Sequence, residues 1–290
     1  MQIKPSLPAL AKAVSEVAQS YFRYRQITHL IALCVALLTL FVASFLVYWL
    51  LVIAIIAEVL AWWFLYIGEH HHHLSRELTR VGLLSNVFDK EPLDITDLLF
   101  SIDNKVQQNA IELDKIYKGE YYDNSDTFDD VTKFLNHLRE SAFWSKHLYN
   151  KAAQHTFKWL GFIALIVIVI LFFVVPVIFD EGATLVPKMT VFFLVFVISD
   201  ELKTAFAWWK AGIRSDKVDK HLDKIIELKK YSQRDVLALF GDYSVATAEA
   251  PPIPSYIFKM ERDRLNHLWK LKNQAVLNKV VISPKNLLGL

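Results

Sequence analysis

One uninterrupted apolar run constrains this chain more than anything else in it. Residues 27–67 read "ITHLIALCVALLTLFVASFLVYWLLVIAIIAEVLAWWFLYI". A bilayer crossing takes about 20 such residues, so the run holds two spans joined by a very tight turn, expected near 43–48. The rest of the composition agrees with a membrane protein. Hydrophobic residues make up 54% of the chain, aromatic residues 13%, and the mean hydropathy is +0.28. Those values lie above what a soluble domain needs.

A second apolar pair follows a polar middle. "FKWLGFIALIVIVILFFVVPVIF" (157–179) reads as a span that tolerates Pro176 near its end. "MTVFFLVFVISDELKTAFAWW" (189–209) is interrupted by Asp200, Glu201 and Lys203. Its apolar part alone is too short, so the fourth span is extended through these charges. Lys and Arg set the orientation. Arg23 and Arg25 precede the first span, Arg76 and Arg80 follow the second, Lys151 and Lys158 precede the third, and Lys210 and Arg214 follow the fourth. The link "DEGATLVPK" between spans three and four is acidic on balance. Both hairpins then leave from the cytoplasm and return to it, with the N-terminus, middle and C-terminus inside. No cleavable signal peptide is expected, because the first apolar run starts late and no small-residue cleavage site follows it.

The expected fold is therefore an all-α membrane protein built from two transmembrane helical hairpins. It divides into a cytoplasmic N-terminal helix (1–26), hairpin one (27–68), a cytoplasmic helical insert (69–156), hairpin two (157–209) and a cytoplasmic helical tail (210–290). In the insert, "ITDLLFSIDNKVQQNAIELDKIY" is expected as one helix capped by Asp94 and ended by Gly119. In the next segment Val131, Phe134, Leu135, Leu138, Ala142, Phe143, Leu148 and Ala152 recur at helical spacing, directly before the third span. A tail helix is expected from a cap at Ser215 to a stop at Gly241, and Pro251, Pro252 and Pro254 then force an extended corner. The insert is acidic and the tail basic, so the two are expected either to dock on each other or to present separate solvated faces.

Three features together resemble the SMODS-associated four-transmembrane effectors of bacterial anti-phage defence. They are the order hairpin, helical insert, hairpin and tail; "KGEYYDNS" followed by "LRESAFWSKHL" before the third span; and "APPIPSYIFKMERDRLNHLW" in the tail. The resemblance implies a pore-forming or membrane-disrupting effector of the bacterial inner membrane, triggered by a cyclic (oligo)nucleotide. The alternative from another class is a membrane-anchored sensor or interaction module without a pore. Four short spans with so few polar residues cannot enclose a conduit alone, so a pore would require a homo-oligomer.

The candidate sites are few. Glu58 lies near the middle of the second span, where a lone carboxylate costs several kcal/mol unless protonated, paired or facing water. It reads either as a pore-lining or gating group, with Lys203 as its partner, or as a buried protonated acid. Asp200 and Lys203 are neighbours at i, i+3 and are expected to neutralise each other, unless the span ends at Ser199 and they are interfacial. "GEHHHHL" (68–74) follows Trp62, Trp63 and Tyr66, aromatic anchors of the membrane edge. On a helix His70 and His73 share a face, so they are pore-mouth candidates, although the run chiefly marks where the helix meets water. It lacks the i, i+4 histidine pair of a helical metal site, and no metal is expected. Arg262 and Arg264, with Tyr243 and Tyr256 beside the prolines, are candidate ligand contacts. "RDRLNH" matches the R-x4-H spacing of HEPN ribonucleases, but one helix does not make their bundle, and neither catalysis nor a DNA or RNA partner is expected. Phosphate loops, zinc and calcium motifs and nucleophile elbows are absent from the sequence, and no cofactor is expected. The single cysteine, Cys34, excludes an intrachain disulfide.

Overall fold

A computed structural model describes residues 5–39, 42, 44–85, 96–117, 130–174, 185–228 and 231–282. Every element among them is helical. In chain order they are α1 (Leu7–Leu38), α2 (Ser44–Ser85), α3 (Thr96–Phe100), α4 (Asn104–Tyr117), α5 (Asp130–Val169, prolonged by a π-helical turn Ile170–Val174), α6 (Leu185–Leu228), α7 (Gln233–Ala248) and α8 (Ser255–Ile282). Four of these are long, at 32, 42, 40 and 44 residues for α1, α2, α5 and α6. At 1.5 Å per residue each exceeds the thickness of a bilayer. Apolar and polar stretches of the sequence therefore belong to the same continuous helices.

Two antiparallel hairpins form the frame. In the first, Ser75 donates to the Ala11 carbonyl at 2.8 Å, and a Cβ on Gly68 would come within 3.0 Å of the Phe22 ring. In the second, a Cβ on Gly212 would lie 2.5 Å from the Asn150 side chain and 3.2 Å from its backbone nitrogen. Only a glycine allows α5 and α6 to approach so closely. Gly212→Leu is expected to cost about 1–3 kcal/mol, read as a lower thermal midpoint in detergent.

The core is a chain of small clusters that binds the helices at successive levels. Near the N-terminus Leu10, Val14, Leu74 and Leu78 pack with Ile102 and Ala110. Asp114 of α4 is pinned to Ser6, whose side chain caps α1. Beneath the second hairpin Phe134, Leu135 and Leu138 meet Leu222, Leu239 and Phe240, while Leu83 joins them from α2. At the opposite end Leu33, Ala36, Val167 and Leu194 form the last cluster, and Thr39 and Thr190 share a 2.8 Å hydrogen bond.

Around that last cluster the apolar character turns outward. Ile31 and Leu38 on α1, Trp49, Ile56 and Trp63 on α2, and Trp159, Phe162 and Phe173 on α5 are all exposed. The two helices Leu46–Leu84 and Val131–Val169 contain windows of mean hydropathy 2.4 and 1.5, long and apolar enough to cross a membrane. Only 28% and 22% of those windows are covered by protein, unlike the core helix of a soluble domain.

Several boundaries differ from the sequence reading. The first hairpin breaks between Leu38 and Ser44, N-terminal to the expected 43–48. The single insert helix is divided, because Asp103 caps a new start at α4 through the Lys105 amide; Asp94 and Gly119 lie outside the described residues. Ser215 caps nothing: it is fully buried inside α6, which runs on to Leu228. The cap is Ser232, which forms a capping box with Asp235. Gly241 does not stop α7, since an exposed glycine costs only about 1 kcal/mol in a helix interior. Of the eight insert positions at helical spacing, seven are buried and Val131 is partly so. Pro176 and residues 180–184 of the link of hairpin two lie outside the described residues, whereas the last four link residues, 185–188, already belong to α6.

The insert and tail do dock, with the signs reversed. Arg139, Lys146 and Lys151 of the acidic insert supply cations to Asp223, Asp219 and Glu261 of the basic tail region. Position on the facing surfaces decides the pairing, and the segment totals do not.

Candidate functional site

The fold gathers charged side chains from three helices where the apolar ends begin. Arg25 and His29 sit at i, i+4 on the face of α1 that α2 and α6 cover. They are 2% and 4% exposed. Arg25 Nη2 lies 2.6 Å from Asp200 Oδ2 and 3.1 Å from Glu201 Oε1. His29 Nδ1 lies 3.1 Å from Glu58 Oε2, and its Nε2 is 3.6 Å from Asp200 Oδ2. Glu58 is itself only 5% exposed.

Three carboxyl groups thus face one guanidinium and one imidazole. The pairing is incomplete in geometry. Both ring nitrogens of His29, both oxygens of Glu58, Arg25 Nε and Glu201 Oε1 are buried without an aligned hydrogen bond. The 3.1 Å approach of His29 to Glu58 is therefore a close contact without hydrogen-bond alignment. Buried polar groups left this way cost free energy and mark sites where a proton, ion or polar ligand would be stabilised.

Two cavities reach the cluster. One of about 470 Å³ opens between α1, α5 and α6, lined by His29 and Glu201 together with Leu33, Trp159 and Ile163. Another of about 230 Å³ meets Arg25 from the side of the proline corner, where Trp208 Nε1 donates to the Pro251 carbonyl at 3.0 Å. A separate groove of about 720 Å³ lies between α1, α2 and α8, and includes Lys259 and Arg262.

The expected partners are thereby corrected. Glu58 meets His29 and not Lys203, and the cation on Asp200 is Arg25; Lys203 is exposed on α6. By sequence Arg25 is only a flanking positive charge, and His29 ends a loose Arg23/His29 Rx5H spacing that reads as accidental. A signal was present: the Arg25/His29 spacing places two polar groups on one face just where the apolar run begins.

The histidine run resolves into four environments. His70 and His73 are exposed, and His70 lies edge-on to His71. His71 stacks on Tyr21 with ring centroids 5.8 Å apart, and burial lowers its pKa. His72, which the spacing argument passed over, turns inward. Its Nε2 lies 2.9 Å from Arg76 Nε and 3.0 Å from the Ala250 carbonyl, and a neutral ring serves one of these at a time. Burial, then the Arg76 charge, pushes its pKa down to about 3. The folded value is below the unfolded one, so stability is full above about pH 6.5. It is expected to fall by roughly 1.4 kcal/mol per pH unit from there toward pH 3. His72→Gln should flatten that acid limb in thermal unfolding scans.

The ligand candidates separate as well. Tyr243 is a core residue: it shares a 2.8 Å hydrogen bond with Ser145, and burial pushes its pKa up to about 12. Tyr256 shares a 3.1 Å hydrogen bond with His155 Nδ1 and lines both cavities that reach the charged cluster. Arg264 pairs with Glu261 at 2.5 Å, and Arg262 lies exposed beside Asp263. Arg262 and His267 are both exposed on one helix.

No known protein family, curated protein or solved structure matches this chain.

Proposed function

We propose that the chain is a four-span membrane effector that self-associates to open a cation path through the bilayer, under control from the cytoplasmic side. The observation that carries this reading is the buried Arg25–His29–Glu58–Asp200–Glu201 cluster at the inner end of the apolar layer. Three carboxyl groups converge there on one guanidinium and one imidazole with several buried atoms lacking aligned hydrogen bonds, a polar constellation that would stabilise a passing cation. Four spans follow from treating α1 and α6 like α2 and α5, since Leu33, Ala36 and Leu194 pack with Val167 at the same level. The exposed apolar faces of α2 and α5 offer surfaces for lipid or for further copies of the chain.

Control fits the tail. The groove between α1, α2 and α8 places Lys259 and Arg262 where an anionic messenger could bridge the first hairpin to α8. The domain order resembling SMODS-associated effectors supports the bacterial inner membrane and a nucleotide signal, with both termini cytoplasmic.

Protein purified in detergent is expected to run as more than one chain by light scattering. Reconstituted into potassium-loaded liposomes, it should collapse an imposed potential once activated, and Glu58→Gln should reduce the cation flux. An assembled, membrane-inserted protein that leaves the potential intact across all candidate nucleotides would sink the proposal.

A further inference from the structure

The cavity between α1, α5 and α6 has an uneven chemistry that its place in a conduction path does not explain. Its upper walls are apolar: Leu30, Leu33, Trp159 and Ile163 would accept the first methylenes of an acyl chain. Its floor holds His29 and Glu201; both imidazole nitrogens and Glu201 Oε1 are buried without an aligned hydrogen bond, and Arg25 Nη2 lies 3.1 Å behind that oxygen. At the rim stands Arg23, exposed, with its guanidinium 3.3 Å from Ser255 Oγ. Tyr256, also at the rim, has its phenol pKa raised by burial and then by the negative charge of Glu201, which places that charge within reach of the opening.

We infer that this cavity binds the headgroup of a bilayer phospholipid that carries a primary ammonium and a phosphodiester, the phosphatidylethanolamine class. Glu201 and His29 take the ammonium, and Arg23 meets the phosphate. The ordering follows from charge. A primary ammonium is a compact cation with three N–H donors, and the floor offers it the Glu201 carboxyl and the His29 imidazole as acceptors. A phosphate belongs at the rim, where Arg23 offers a planar donor fork at the membrane–water boundary. A trimethylated headgroup has no N–H to give, and an anionic headgroup without an amine would meet Glu201 unfavourably. The inference rests on the reading that the apolar helix ends lie in a bilayer, and is independent of whether the assembly conducts.

The test uses the full chain in detergent, equilibrated with equal amounts of phosphatidylethanolamine, its N-trimethyl counterpart and phosphatidylglycerol of matched acyl chains. Native mass spectrometry then counts the lipid retained. The expected result is retention of the primary-amine lipid over the trimethyl one by about tenfold. Glu201→Gln should abolish that preference, and Arg23→Gln, a change at an exposed position that leaves the core intact, should reduce retention by about threefold. Equal retention of all three lipids, an unchanged preference in Glu201→Gln, or unchanged retention in Arg23→Gln would overturn the site. Carbonate extraction of membranes is run in parallel: a chain washed off at high pH defeats the bilayer reading itself, whereas an integral protein without lipid preference defeats only this site.

Discussion

Arg25→Ala is expected to lower the stability of the folded chain by about 3–5 kcal/mol, the range for removing one partner of a buried ion pair. The side chain is 2% exposed and is the closest cation to both Asp200 and Glu201. Alanine leaves those carboxylates beside Glu58 with only His29 opposite, so the loss is the cost of uncompensated charge and not merely of two contacts. Arg25→Lys should fall between, because one ammonium cannot hold two carboxylates with the geometry of a guanidinium. The triple replacement Arg25→Met, Asp200→Asn, Glu201→Gln should recover much of the loss, since it removes both signs together. Thermal unfolding in detergent, followed by circular dichroism, checks the series. A loss below about 1 kcal/mol for Arg25→Ala would mean that water already screens the cluster.

That cluster shows how far the sequence could be read and where reading stopped. Periodicity located the long helices and the buried face of α5, because burial repeats along one helix and leaves its mark there. Glu58, Asp200 and Glu201 stood out for the same local reason, as charges inside apolar text. Their partners did not: the Arg25/His29 spacing marks a polar face on α1, but how that face lies against α2 and α6 is not written in the local sequence. The same limit explains the histidine run. Helical spacing correctly grouped His70 with His73, but which face turned inward was set by Tyr149 and Ala250, far along the chain. Ser215 carried a capping residue's identity without a cap's context: α6 continues past it because Val218 and Leu222 extend the buried stripe. Segment charge likewise suggested docking between insert and tail, yet the contacts use each segment's minority sign.

The second large effect concerns that docking. Asp219 is 1% exposed and accepts Lys146 of α5 at 2.6 Å and Lys272 of α8 at 2.5 Å, so one carboxylate ties three helices together. Asp219→Ala leaves two ammonium groups, each 18% exposed, competing for Asp216 and Asp223. Because those neighbours remain at 3.3 and 2.9 Å, the expected cost is about 2–4 kcal/mol, below the full penalty for an unpaired buried charge. The loss should be local before it is global. Arg139 holds Asn273 at 2.8 Å and stacks over Trp269, but these contacts sit on the same stretch of α8 and share its position. Limited proteolysis at the proline corner and along α8 should therefore accelerate in Asp219→Ala while the α1–α2 hairpin stays protected. The pH limits follow from the same network. Burial alone would lower the pKa of Lys146, but Asp219 and Asp216 outweigh it and raise it above the usual value. Its contribution is full below about pH 10.5 and is lost as pH rises through that raised value. Burial would raise the pKa of Asp216, but Lys220 and Lys146 outweigh it and hold it low, so its contribution is full above about pH 4 and fades only in stronger acid. Wild-type α8 should resist cleavage from about pH 6.5, below which His72 weakens the proline corner, up to the alkaline limit set by Lys146. If Asp219→Ala leaves its cleavage rate unchanged at neutral pH, the apolar contacts of Ile257 and Leu265 hold the tail, and the ion pairs are bystanders.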